Sequence, residues 1–151
     1  MGSGVQAGER GASLLELLTA TAIFATLLGV GIPNLVTLRA PYTLSAAVRQ
    51  VAADLQLARQ RAVARNARYR ITFNGAAATY TLEREASPNS FVADSAVQPL
   101  PKGSTLGTVT PGNPVFDTRG MLAADVAVPI TVTGAGTRTV TVNVLGRTTI
   151  N

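Results

Sequence analysis

No stretch of the chain constrains it as tightly as Ala12 to Ile32, which reads ASLLELLTATAIFATLLGVGI: twenty-one residues with a single charge, Glu16. As a helix this run spans about 31 Å at roughly 1.5 Å per residue, which matches a hydrocarbon core of about 30 Å. One membrane crossing is expected. A cleaved secretory signal would need a basic n-region and a shorter apolar core, whereas Met1 to Gly11 carries only Glu9 and Arg10. Arg10 on one flank is balanced by Arg39 on the other, so loop charge does not set the orientation. Composition agrees with a segment that leaves water. Hydrophobic residues make up 46% of the 151 and charged residues 14%, and the mean hydropathy of +0.26 is too apolar for an ordinary soluble domain. Some apolar surface belongs in lipid or against a partner.

Glu16 is the informative residue of the run. A carboxylate within a spanning helix costs about 2.5 to 3.5 kcal/mol on insertion scales and normally marks a function or a specific partner. Two readings are open. The carboxyl lies near enough to the interface to snorkel out of the bilayer. It also lies four residues after Ala12, about one helical turn into the run. A cut after Gly11 would expose a cationic amine on Ala12, and Glu16 could pair with such an amine on a neighbouring subunit.

The run Gly11-Ala12-Ser13-Leu14-Leu15-Glu16-Leu17-Leu18 resembles the prepilin processing site of type IV pilins and type II secretion pseudopilins. Those proteins have Gly before the cut, an apolar first residue and Glu five residues into the mature chain. Pro33, at mature position twenty-two, matches a helix-kinking proline common in them. The chain departs from the pattern in having Ala12 where Phe or Met is usual and a leader with one Arg beside one Glu. The resemblance implies cleavage between Gly11 and Ala12 by a prepilin peptidase, N-methylation of Ala12, and assembly through Glu16 and Pro33.

Beyond Pro33 a second proline, Pro41, predicts one or two kinks or a short break before the helix resumes. Leu44, Val48, Val51, Leu55, Ala58 and Ala62 then recur in steps of three and four, placing one apolar stripe on a helix that fades near Asn66. Tyr69 to Phe73 alternates with a period of two before Asn74-Gly75, a favoured two-residue hairpin turn, with Thr79 to Leu82 as the returning strand. The stretch from Ala86 to Pro114 is rich in Pro, Ser, Gly and Asn and is expected to form loops and short edge strands. Val115-Phe116 precedes a turn at Asp117-Thr118-Arg119-Gly120. Val126 to Thr133 and Thr137 to Leu145 form a second β-branched pair around Gly134-Ala135-Gly136, and a last short strand follows Gly146-Arg147. The expected fold class is α+β, a long N-terminal helix packed on one antiparallel β-domain. Its segments are a leader over 1–11, a transmembrane or filament-core helix over 12–33, a continuation over 34–68 that packs on the globular part, and the β-domain over 69–151.

The second half resembles the same proteins more narrowly. Leu55-Gln56-Leu57-Ala58-Arg59-Gln60-Arg61-Ala62 running into a strand, Phe116 followed by Gly120, and a terminal strand after Gly146-Arg147 are similar to the type II secretion protein H and FimT-like minor pilin family. What that implies is a structural subunit of a secretion pseudopilus or a type IV pilus. Its anchor would cross the bacterial inner membrane once, with the globular domain periplasmic. Its partners would be other pilins, the prepilin peptidase and the inner-membrane assembly platform.

Charge raises a second candidate. Thirteen cations, twelve of them Arg, face eight acids, for a net charge of +5. Arg49, Arg59, Arg61, Arg65, Arg68 and Arg70 lie within twenty-two residues with only Asp54 opposing them. Arg61, Arg65 and Arg68 fall together beside the apolar stripe. Such a row could bind nucleic-acid phosphates or anionic headgroups, or be the solvated flank of a packed helix. FimT-like pilins that bind DNA carry a C-terminal Gly-Arg-x-Arg; here Gly146-Arg147-Thr148-Thr149 keeps only the first Arg. A DNA-binding minor pilin for natural transformation, using Arg147, Arg138 and the helical row, is the alternative function.

An enzyme is not expected. The chain has no Cys, His or Trp, which removes thiol chemistry, His-ligated metals and the commonest general base. No P-loop, dinucleotide fingerprint or Ser-His-Asp set is present. Asp117 and Asp125 lack the further oxygen ligands of a Ca²⁺ loop and are expected to form turns. No cofactor or metal is expected. Of the seven aromatics, Phe24 belongs to the membrane run. Tyr42, Tyr69, Phe73, Tyr80, Phe91 and Phe116 are expected as core or turn residues rather than base-stacking platforms.

Overall fold

The computed structural model describes the backbone of residues 13–151 and the side chains of 13–27 and 39–151. These residues fall into two units divided between Thr37 and Leu38. Helix α1 covers Leu14–Arg65. It begins at Ser13, whose carbonyl accepts the amides of Glu16 at 2.8 Å and Leu17 at 3.1 Å. Helical backbone runs through Pro33 and Pro41, so of the two expectations there, kinks or a short break, the break is absent. A proline removes one amide donor, and the bonds of the neighbouring turns suffice to carry the helix past it.

The helix ends on Asn66, which takes a left-handed φ of 48°. The Ala67 amide reaches back to the Ala62 carbonyl at 3.2 Å and the Asn66 amide to Val63 at 3.4 Å. This pairing satisfies two carbonyls that the last turn would leave open, and Asn tolerates the backbone it needs. The chain is thereby turned directly into the first strand.

The strands are β1 (Tyr69–Asn74), β2 (Thr79–Ser87), β3 (Ser90–Ala93), β4 (Gln98–Pro99), β5 (Ser104–Leu106), β6 (Val115–Phe116), β7 (Val126–Val132), β8 (Gly136–Val142) and β9 (Thr148–Ile150). The expected antiparallel β-domain consists of two sheets. The first has the order β3-β2-β1-β6, with β4 also pairing with β2; the second has the order β5-β7-β8-β9. The chain alternates between them, with β5 joining the second sheet before β6 returns to the first. One core serves both. The whole expected stripe, Leu44, Val48, Val51, Leu55, Ala58 and Ala62, is buried with Ala47 against Tyr69, Ile71, Tyr80, Leu82 and Phe116 of the first sheet. The same core takes Val126, Val128, Ile130, Val132, Val140 and Val142 of the second.

The first hairpin differs from the two-residue turn expected at Asn74-Gly75. Asn74 pairs with Thr79 as the last rung of the ladder, leaving a four-residue loop over Gly75 to Ala78. The Asn74 Oδ1 accepts the Ala77 amide at 3.2 Å, and Ala78 takes a φ of 50°. Burial decides the register. Ile71 faces Leu82 and Phe73 faces Tyr80, whereas the tighter turn would have set Phe73 opposite Ala76 and drawn the alanines toward the core. Strand β2 also continues past Leu82 to Ser87, where it turns into β3. Strand β8 stops at Val142, earlier than expected, because Asn143 to Gly146 fold into a turn closed by the Gly146 amide on the Asn143 carbonyl at 2.7 Å.

Candidate functional site

Of the residues expected to act in processing and assembly, Gly11 and Ala12 lie outside the described residues, as does the side chain of Pro33. Glu16 sits exposed in the first turn of α1. Around it Leu14, Leu18 and Phe24 are 82%, 62% and 68% exposed, an apolar surface with nothing packed on it in the single chain. The interspersed threonines do not make this surface polar. Thr19 donates its hydroxyl to the Glu16 carbonyl, Thr21 to Leu17 and Thr26 to Ile23, at 2.9, 2.9 and 2.8 Å, which spends each donor inside the helix. Among the described residues no helix is long and apolar enough to cross a membrane; of the apolar run, their side chains cover Ser13 to Leu27.

The arginine row is occupied, and it is not wholly helical as expected: α1 ends at Arg65, so Arg68 lies past the helix and Arg70 is on β1. Arg61 and Arg65 both reach Asp94, after β3, at 2.8 and 2.9 Å. Arg68 pairs with Glu85 at 2.9 Å, and Arg70 donates through Nε to Glu83 at 2.8 Å while lying 4.3 Å from the Phe91 ring centroid. Arg65 also bonds the Tyr69 hydroxyl at 2.8 Å, and that contact with Asp94 holds its guanidinium above the ordinary pKa. Three carboxylates from β2 and the segment after β3 thus answer four guanidiniums. The surplus counted along the sequence is largely cancelled in space, which leaves little charge for phosphates.

Arg59 is different, and it was not singled out from the sequence as a site. Its Nε donates to the Gly120 carbonyl at 3.1 Å. Its side chain lies over two glycines with left-handed φ, Gly120 at 76° and Gly146 at 75°. A Cβ at Gly120 would stand 2.9 Å from Arg59 Cγ, and one at Gly146 would stand 2.6 Å from Arg59 Nε and collide with the Gly120 carbonyl. The arginine of the Leu55–Ala62 motif, the glycine after Phe116 and the glycine before Arg147 therefore meet at one point. That these three motifs supported a single resemblance was the signal that could have found it. Arg147 lies beside this point, exposed, with its amide on Asn143 Oδ1 at 2.8 Å. Arg138 is exposed on β8, opposite Ile130. The structure groups Arg61 with Arg65, and Arg147 with Arg59 instead of with the row.

Two further polar groups fasten the fold. Tyr80, buried on β2, donates to Asp54 of the helix and accepts from Gln50 Nε2 at 2.9 Å. Burial, reinforced by the Asp54 contact, pushes its phenol well above the ordinary range. Asp117 Oδ1 accepts the amides of Met121 and Arg119 at 2.8 and 2.9 Å, and these bonds, the Met121 amide foremost, hold the carboxyl below the usual carboxylate range. Asp125 accepts the Val144 amide at 2.7 Å. Asp117 forms a turn, as expected, whereas Asp125 ties its segment to the distant Val144 and does not close a turn of its own. Tyr69, Tyr80 and Phe116 are core residues, while Tyr42 is exposed. Among the described residues no group of three or more acidic residues could hold a metal ion.

Residues 47–146 match the family model described as type II transport protein GspH. No curated protein matches the chain. Among solved structures, the minor pseudopilin EpsH from the type 2 secretion system of Vibrio cholerae is similar at a TM-score of 0.60 and 12% identity, over 72% of this chain and 95% of that one. The type IV minor pilin FimU of Pseudomonas aeruginosa is similar in two crystal forms. One gives a TM-score of 0.59 at 17% identity, over 72% of this chain and 87% of that one. The other gives 0.58 at 19%, over 72% and 92%. At these identities the likeness is one of fold: a helix on antiparallel sheets.

Proposed function

Because the chain belongs to the type II transport protein GspH family and is a minor pilin or pseudopilin, we propose that it is a single-pass inner-membrane subunit that enters a filament or its tip through α1. It is made with a leader over 1–11, cut between Gly11 and Ala12 by a prepilin peptidase, N-methylated on Ala12 and taken up by the inner-membrane assembly platform. Residues 12–33 lie in the bilayer before assembly and among neighbouring helices after it, while 34–68, helical as far as Arg65, carry the chain onto the periplasmic β-domain of 69–151. The observation that carries this reading is the division of labour along one helix. From Leu44 its apolar stripe is buried by its own domain, whereas Leu14, Leu18 and Phe24 are left bare and need lipid or other helices to cover them.

Glu16 supplies the incentive to leave the bilayer. Its carboxylate is costly among acyl chains and is compensated when a neighbouring subunit's Ala12 amine pairs with it. DNA binding is not favoured, since Arg61, Arg65 and Arg68 are already paired with Asp94 and Glu85, which leaves Arg147 and Arg138 alone to meet phosphates. Intact mass of the membrane-extracted protein from a host with the peptidase tests the proposal. Loss of Met1 to Gly11 with one added methyl is expected. A mature chain that keeps the leader, or is cut beyond Ile32, would overturn it.

A further inference from the structure

We propose that the cleft between α1 and the β8–β9 turn is a docking site for a carboxylate side chain of a neighbouring pilin subunit. The proposal rests on the assembly reading above and adds where on the globular domain a neighbour is gripped. The cleft is open to solvent, has a volume of about 410 Å³ and is lined by Gln56, Arg59, Gln60, Gly146, Arg147 and Thr148. Every lining side chain offers a hydrogen-bond donor, and none carries a negative charge. Among the described residues Arg61, Arg65, Arg68 and Arg70 have carboxylate partners, whereas Arg39, Arg49, Arg59, Arg84, Arg138 and Arg147 have none; of these, Arg59 and Arg147 line one cleft together.

Arg59 is also held in place. Its Nε is spent on the Gly120 carbonyl, so the two Nη atoms remain as a fork whose spacing matches the two oxygens of a carboxylate. Val144 and Leu145, three and two residues before Arg147, are 40% and 65% exposed, so a subunit that reaches Arg147 would meet apolar surface next to it in the chain. Nucleic acid is the less suitable occupant. Two guanidiniums in a recess neutralise few phosphates, while binding to a duplex at physiological salt draws on many.

The test places a photoreactive benzoylphenylalanine at Leu145 of the full chain in its host and, in a parallel strain, at Leu18. We expect the Leu145 probe to give an adduct with another pilin subunit, mapped by mass spectrometry to a segment bearing Asp or Glu. Arg147→Glu should reduce that adduct on the order of tenfold without shifting the thermal midpoint, since Arg147 is exposed. Changing the mapped acid to Lys should restore it. An adduct that is unchanged in Arg147→Glu overturns the inference, as does silence at Leu145 while Leu18 still captures pilins. Silence at both positions overturns the assembly reading, and this inference with it. Anisotropy of a fluorescent 30-base-pair duplex completes the test: micromolar binding by the full chain that is lost in Arg147→Ala assigns the cleft to phosphates instead.

Discussion

A methyl group added at Gly146 has nowhere to go. It would meet Arg59 Nε and Cδ and the Gly120 carbonyl, on a backbone whose φ of 75° already disfavours a side chain. Gly146→Ala should therefore cost about 1 to 3 kcal/mol, read as a lowered urea midpoint. Arg59→Ala in the same chain should recover part of the loss by removing the atoms it strikes, leaving the Gly120 carbonyl contact as the remainder. Tyr80 sets a different limit. Its phenol is held neutral by burial and by the Asp54 hydrogen bond, so the folded state keeps this proton at a pH where the unfolded chain has lost it. With the folded pKa raised, the stabilisation is fully present below an unfolded value of about 10 and is lost as pH rises beyond it. Urea midpoints should fall from pH 9 to 11, and Tyr80→Phe should flatten that fall. Neither residue announces its role in the sequence. Gly146 is one of fourteen glycines, and Tyr80 is separated from Asp54 by the end of the helix, β1 and the hairpin loop.

The elements were legible to different degrees, for reasons that can be named. The stripe on α1 was complete in the sequence because a 3.6-residue period is local and needs no partner to be seen. The β7–β8 pair was as clear, since Val126, Val128, Ile130 and Val132 alternate without interruption. The Asn74-Gly75 turn misled because turn propensity competes with register, and burying Leu82 beside Ile71 outweighs the favoured dipeptide. The arginine row stayed open between a phosphate site and a packed flank because its counter-charges lie seventeen to thirty-three residues away, on β2 and just after β3, whose placement the helix does not encode. That pairing has a testable consequence. Asp94→Asn should free Arg61 and Arg65 together. We expect a stability change of only about 1 kcal/mol or less, as for partly exposed pairs, together with a salt-sensitive gain in affinity for a fluorescent duplex. An affinity that does not move would mean that the row is sterically closed as well as neutralised.

At the scale of the molecule, Leu38–Asn151 is one unit with its own core. A chain of residues 40–151 should thus be soluble and melt cooperatively, with circular dichroism showing one helix and dominant sheet; a non-cooperative melt would contradict it. The sequence could place helix before strands but not divide the strands into two sheets. That division depends on β5 and β6, three and two residues long, which exchange sheets across segments without periodicity. The seat of Arg59 spans the same scale, since it joins a helix residue to turns sixty-one and eighty-seven positions later. Chimeras will feel this. A graft that sets this helix on the β-domain of another pilin separates the arginine from the two glycines that make room for it, so the three must travel together or be replaced together. A recombinant that inherits the arginine with an alanine at either turn carries a wedge in its fold, however well the rest of the stripe packs.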